Sequence, residues 1–477
     1  MPVLRLVNTI RSARWLMYFT FKLRRTCSMN VATRMMLLPL TFYSLFLPLQ
    51  AAASSELCAG IVFRETPYAD IRCARKLSEK EAAGIKHFQF EYDDQGRLTS
   101  LKYQLQGRVV DFADRFVRAP HIKIDYKNGK ETRRFYDPLG ARTLVSGDVY
   151  ESHFDLDEKG RRTSLTFHDI EGKVINNDFG IARYQWQVSD DGQVTEQRFD
   201  TGGELVRNRP GFGFLVTKFA YDANGLLTRM YNLGADGEHL STDQAGVAMT
   251  QIEYNQHGEF TRWLNLEHTG RAHKGMSEIA EIVYEPSGYG REQLALFIDD
   301  QGQPQSTRWG AHKVYYQFDK VGNPIERTHF GTDGKPVNSS SGIAKILSKW
   351  SKDGVFNVSD QYYDKEGNAV VSSYSGVHSV ATLLDNQGRP VSRVFYNLDR
   401  KPVIHKGLGY AHEDFQYDSN GYLKSRRFLD TEGQLALHNI WQVAEFIYEY
   451  DSTGNMVSYV VKDDTGEITK PNWNPAH

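Results

Sequence analysis

From residue 88 onward apolar and polar side chains alternate in short runs, and each run stops at an acidic or amide residue followed shortly by glycine. Ahead of Gly322, Val314, Tyr316 and Phe318 fall on one side of an extended chain, the period of two expected of a strand with one packed face. In most runs an Asp or Asn three residues before the glycine can bond its side chain to nearby backbone, and the glycine can take the positive φ that other residues resist. An apolar residue usually returns two positions later, as at Leu98, Val194, Leu227, Phe260, Leu423 and Met456. The pattern predicts strand, tight reversal, strand.

The same segment recurs as "FEYDDQG" ending at Gly96, "IDYKNG" at Gly129, "FDLDEKG" at Gly160, "WQVSDDG" at Gly192, "FAYDANG" at Gly225 and "IEYNQHG" at Gly258. It continues as "IVYEPSG" at Gly288, "YQFDKVG" at Gly322, "SKWSKDG" at Gly354, "TLLDNQG" at Gly388, "FQYDSNG" at Gly421 and "YEYDSTG" at Gly454, giving twelve units of about 32 residues. A second glycine follows in most units, from Gly107 to Gly466; after Gly388 it is missing, and "NLDRKP" requires Asp399 or Arg400 to make that turn. Small-residue signatures such as "GIAR" at 180, "GVAM" at 246 and "GIAK" at 342 mark corners where the chain re-enters the sheet. Their periodic placement argues for structure over a phosphate cradle, which occurs once and precedes a helix.

A two-stranded unit of this size cannot bury its aromatic face alone, so neighbours must stack. The expected fold is all-β: tandem antiparallel β-hairpins stacked into an open β-ribbon spiral or superhelix. A closed propeller of six four-stranded blades is the competing geometry. Residues 54–86 carry the one convincing helical run, opening at Ser78 with Glu79 and Glu81, and form a short helical N-terminal cap. The array covers 87–468, and 469–477 is a flexible C-terminal tail whose two prolines discourage further pairing.

Residues 1–53 stand apart, with seven Lys or Arg and no acid, followed by an uncharged apolar stretch ending near Ala51 and Ala53. This is the grammar of a signal peptide cleaved after Ala53, with Met29 or Met35 as alternative starts. An uncleaved leader would instead tie the protein to a membrane through its N-terminus. Either way the bulk is exported, to the periplasm, the cell surface or beyond. Without the leader, 50 basic side chains face 59 acidic ones, a balance that repels phosphate backbones and excludes nucleic acid as the partner. Cys58 and Cys73 are then the remaining cysteines, and an oxidising compartment pairs them in a disulfide.

The cores "YDANG" from Tyr221, "FDKVGN" from Phe318, "YDKEGN" from Tyr363, "YDSNG" from Tyr417 and "YDSTGN" from Tyr450 resemble those of the YD-repeat, or Rhs-type, bacterial proteins, over about 85% of the chain. That resemblance implies a β shell or filament that carries, encases or binds something else. The unit here is longer and more regular, and no toxin-like or self-cleaving segment is recognisable, which favours a shorter scaffold or binding surface.

Candidate chemistry is sparse. Asp155 and Asp157 imitate part of a calcium loop without its closing Glu, so turn capping is the simpler role. The pairs Asp299–Asp300 and Asp463–Asp464 sit at turn tips, poor places to hold a hydrolase's facing carboxylates. Ser375 in "SYSGVHS" lacks the strand–elbow–helix setting of a nucleophile. No catalytic residue, cofactor or metal is assigned. The loosest unit, residues 269–290, is where a broken pattern would place a site. Trp186, Trp263, Trp309, Trp350 and Trp441 are candidates to stack on sugar rings or partner side chains if exposed, and otherwise pack against the next turn of ribbon. The reading that follows is a non-catalytic cell-envelope scaffold or binding module for a protein or glycan; the alternative is an envelope hydrolase acting on glycans.

Overall fold

A computed structural model describes residues 54–112, 117–209 and 212–473. The leader and its cleavage site after Ala53 lie outside the described residues, as does the end of the tail from 474. Among the described residues no helix is long and apolar enough to cross a membrane.

The turn that the sequence repeats has one construction in most units. At Asp222 the carboxylate Oδ1 accepts the backbone N–H groups of Asn224 (2.9 Å) and Leu226 (2.8 Å). Gly225 N–H donates to the Asp222 carbonyl, and Asp222 N–H to that of Leu226, each at 2.9 Å. Gly225 sits at φ 71°, and the strand register slips one residue at Ala220/Tyr221, a bulge that lets a short turn join twisted strands. The same five-residue loop closes the second turn of a unit, as at Asp200, and again the corner, as at Asn177 and Asp243. Where the second glycine is missing, Arg400 takes the positive φ, at 60°.

Twelve hairpins, from His87–Leu105 to Glu445–Lys462, follow one another in chain order, each antiparallel to the next, in a single sheet. Among the described residues the final strand Met456–Lys462 pairs with Glu445–Tyr450 and not with the N-terminal strands, so the ribbon stays open and the propeller is excluded. At the corners the residues after the left-handed position are packed tight: Ile181 and Ala182, Val247 and Ala248, Val443 and Ala444 are all buried. These are the points where each unit docks on its neighbour. Successive corners are also linked by a backbone ladder: Ser373 N–H donates to Ser341 (2.9 Å), Lys406 to Ser375 (2.8 Å) and Asn439 to Leu408 (2.8 Å). Asn472 continues it by donating to Trp441 (2.8 Å), so the tail segment supplies one more rung.

The ribbon coils back over itself. One edge of the sheet carries the tight turns and the other the longer loops; late turns rest on early loops. Arg142 N–H donates to Gly454 (2.7 Å), Tyr150 hydroxyl accepts from Met456 N–H (3.1 Å), and Arg108 pairs with Asp353 (3.2 Å).

The N-terminal segment fills the start of this spiral. Strands Ser54–Ile61 and Cys73–Lys76 pair with each other, and Cys58 and Cys73 form the expected disulfide. The helix is a single turn, Glu79–Ala82, with Ser78 and Glu81 in a reciprocal capping box; the rest of the cap is strand and extended chain. Between the strands the chain passes through the inside of the first coil, where Phe63 stacks on Phe260 (4.7 Å) and Tyr68 packs on Trp186 (5.5 Å). The irregular unit at 269–290 receives this segment: a Cβ on Gly290 would lie 2.0 Å from the Ala59 carbonyl oxygen, so glycine is required by the close approach.

Candidate binding groove

The carboxylates that sequence reasoning considered are largely occupied by the fold. Asp157, Asp299 and Asp463 each accept two backbone N–H groups in a turn. The Thr465 hydroxyl at Asp463, and backbone bonds at all three, hold these carboxyls below their usual range. Asp155 is bound by Lys130 (2.9 Å) and Ser164 (2.6 Å). Inside the first coil Glu196 and Arg198, both fully buried, face each other at 2.5 Å; Trp186 Nε1–H also donates to Glu196 (2.7 Å), and Arg198 donates to the Phe214 and Leu215 carbonyls. Glu131 is held similarly between Arg133 (2.6 Å) and Arg162 (2.8 Å). Beside these pairs lies a partly enclosed cavity of about 90 Å³, walled by the N-terminal segment from Arg64 to Pro67 and by Phe154, Leu165 and Tyr184. Its charged walls are satisfied largely from within, as a packed polar core requires.

The five tryptophans are each engaged by neighbours. Trp186 is 3% exposed. Trp263 donates to Asn265 (2.8 Å) and meets Phe63 edge-on. Trp309 lies against Phe297 and His329. Trp350 donates to the Pro324 carbonyl (2.9 Å) while the Lys86 ammonium sits 4.2 Å above its ring. Trp441 stacks on His438 (4.1 Å) and meets Trp473 of the tail. They are partly or wholly buried, and the fold does not gather them into one site.

A more open concavity occurs at the loop edge of the late hairpins. Tyr316, Arg327, Ile346 and Tyr362 are consecutive register partners across strands Lys313–Phe318, Pro324–Phe330, Lys345–Trp350 and Asn357–Tyr363, which places them in one row on one face. Over this row hang the serine-rich corners, 339–342 and 372–376. Together Arg327, Ile346, Tyr362, the corner serines, Tyr374 and His405 line a groove of about 490 Å³.

Its electrostatics are simple. Arg327 has no ion pair among the described residues; its side chain hydrogen-bonds the Tyr316 hydroxyl, and its Nε is buried without a partner. The adjacent Glu326 is turned to Lys345 (3.6 Å) and Thr328 (2.8 Å). Burial and the neighbouring Arg327 charge push His329 down to about 4, and burial lowers His405, which therefore add no positive charge near neutral pH. Burial raises the Tyr316 and Tyr362 hydroxyls, and Arg327 opposes both shifts. Ser372 Oγ accepts the Ser375 N–H and Ser375 Oγ accepts the Val377 N–H, both at 3.3 Å, which leaves each O–H free to donate. Tyr374 is 73% exposed at the rim.

In the sequence Ser375 reads only as a serine without a nucleophile's setting, and nothing singles out Arg327. The available signal is the run of serines at two successive corners, "NSSSG" and "SSYSG".

No protein-family model matches the chain. No curated protein matches its sequence. Among solved structures, distant alignments cover 80% of this chain and 23% of a chain in the complex of TcdB2–TccC3 with Cdc42, at 10% identity and a TM-score of 0.24. The Tc holotoxin pore of Photorhabdus luminescens aligns over 81% of this chain and 23% of its own, at 10% identity and a TM-score of 0.23. A TcdB2–TccC3–TEV structure gives 81% and 25%, at 11% identity and 0.19. The chain thus spans about a quarter of the toxin chains it is aligned with, and TM-scores this low establish neither a shared fold nor a shared activity.

Proposed function

We propose that the chain is an exported, non-catalytic scaffold or binding module of the cell envelope, which presents a repetitive β surface to a protein or glycan partner. The observation that carries this reading is the distribution of exposed apolar side chains. Most of them, including Leu240, Met276, Val371, Tyr374, Ile404 and Ile440, fall on the loop edge, and few on the tight turns. This bias toward one edge is what a surface that meets a partner would carry. A glycan hydrolase needs two carboxylates facing across a gap, whereas the groove at this edge is walled by serines, tyrosines, isoleucines, His405 and Arg327. The resemblance of the repeat cores to YD-repeat proteins is consistent with a carrying or binding role.

The test is in situ cross-linking followed by fractionation, comparing the native chain with Val371→Asp/Ile404→Asp/Ile440→Asp. Recovery in the envelope fraction, with a partner retained by the native chain and lost from the triple variant at unchanged circular dichroism, is the expected result. Cytoplasmic recovery overturns the compartment, and equal retention by the variant overturns the surface.

A further inference from the structure

We infer that the groove at Arg327 binds the carboxylate of an acidic sugar, a uronate residue within a glycan chain. This rests on the binding-module reading and names its ligand class. A guanidinium that lines the groove while its neighbouring carboxylate is turned to Lys345 leaves a positive charge for a ligand to neutralise. An anion does so best, because arginine's planar fork matches a carboxylate in two parallel hydrogen bonds. The other walls specify what carries that anion. Ser372 and Ser375 offer hydroxyl donors, Ser340 and Ser373 are exposed at the rim, and Tyr374 projects a ring beside them. Hydroxyl-rich walls and an exposed aromatic suit a ring bearing hydroxyls on its edge and C–H groups on its face. The groove is open rather than enclosed, as a polymer passing through it requires, and it sits on the loop edge assigned above to partner binding.

Calorimetric titration of the full chain with trigalacturonic acid, maltotriose and triglutamic acid tests this. Expected are saturable binding of trigalacturonic acid, at least tenfold weaker binding of the other two, and at least tenfold loss of trigalacturonic acid affinity in Arg327→Gln. Because the contact is charge-assisted, affinity falls as salt rises. Tyr374→Ala, at an exposed tip, weakens the same ligand and keeps the test open if Arg327→Gln misfolds, which thermal unfolding reports. Equal binding of maltotriose, or triglutamic acid binding as well as the uronate, overturns the assignment. So does the absence of trigalacturonic acid binding at millimolar concentration. If the envelope partner is still captured through the loop edge while the uronate fails, the ligand class alone falls; if both fail, the underlying reading falls.

Discussion

The backbone N–H of Arg142 points at the carbonyl of Gly454, 2.7 Å away, although the two residues belong to the second and the twelfth hairpins. That bond is the plainest mark of the spiral: a turn late in the chain seats on a loop formed early. The neighbouring Tyr150–Met456 bond and the Arg108–Asp353 pair repeat the relationship.

The fit of the N-terminal segment against the irregular unit makes Gly290 far less tolerant than a turn glycine with open surroundings such as Gly96. Gly290→Ala drives a Cβ into the Ala59 carbonyl, whereas Gly96→Ala meets nothing within 4 Å and bears the cost of its left-handed backbone, about 1 kcal/mol. In urea unfolding, Gly290→Ala is expected to lose at least twice what Gly96→Ala loses.

Within the first coil, Glu196 and Arg198 behave as a unit. Glu196→Ala strands a fully buried guanidinium and is expected to cost about 3–5 kcal/mol, while Glu196→Leu/Arg198→Met costs far less. A double-mutant cycle by chemical denaturation reads the coupling, and additive losses would contradict it.

Two buried imidazoles and one half-buried, His121, contribute to the response to acid. His121, His329 and His438 are each pushed from an ordinary value of 6.5 down to about 4, in every case first by burial. Lys102 and Lys123 reinforce the shift at His121, Arg327 at His329, and Arg426 at His438. The folded state keeps them neutral while the unfolded chain takes protons below pH 6.5, so stability falls from about pH 6.5 to about pH 4. His438→Gln, which cannot be protonated, is expected to flatten part of this slope in melting temperature against pH.

The Cys58–Cys73 disulfide closes a 15-residue separation and fastens the two strands that carry the segment inside the first coil. Cys58→Ser/Cys73→Ser is expected to lose about 3 kcal/mol. Limited proteolysis between residues 59 and 76 should accelerate before the late hairpins are cut.

Removing residues from 470 onward deletes the rung made by Asn472 and uncovers Trp441. Hydrogen exchange in 445–462 is expected to rise, with little change in the early hairpins.

Much of this architecture is readable in the chain because it is local. Asp222 and Gly225 specify a reversal by hydrogen bonds spanning five residues, and the alternation around Tyr316 specifies the packed face. What local pattern does not encode is the offset of the coil, which sums small twists over many strands, so nothing at Arg142 announces Gly454. Glu196 and Arg198 alternate as surface residues of a strand would, and their burial follows from the segment that covers them. Glu278 and Gln442, at φ 64° and 57°, hold corner positions that glycine marks elsewhere, and they carry no sequence signal. Ser78 and Glu81 announced a helix correctly, but the following Gly84 and the entry into the strand at His87 leave it one turn. Arg327 reads as an ordinary strand cation; its isolation comes from Glu326 facing Lys345 on the opposite side.

Each corner asks only for its predecessor's carbonyl, and Asn472 answers that demand without beginning a new hairpin. Twelve is therefore not a number imposed by closing a ring. A hairpin duplicated ahead of Asn472 would lengthen the winding while leaving the packing of the N-terminal segment in the first coil untouched.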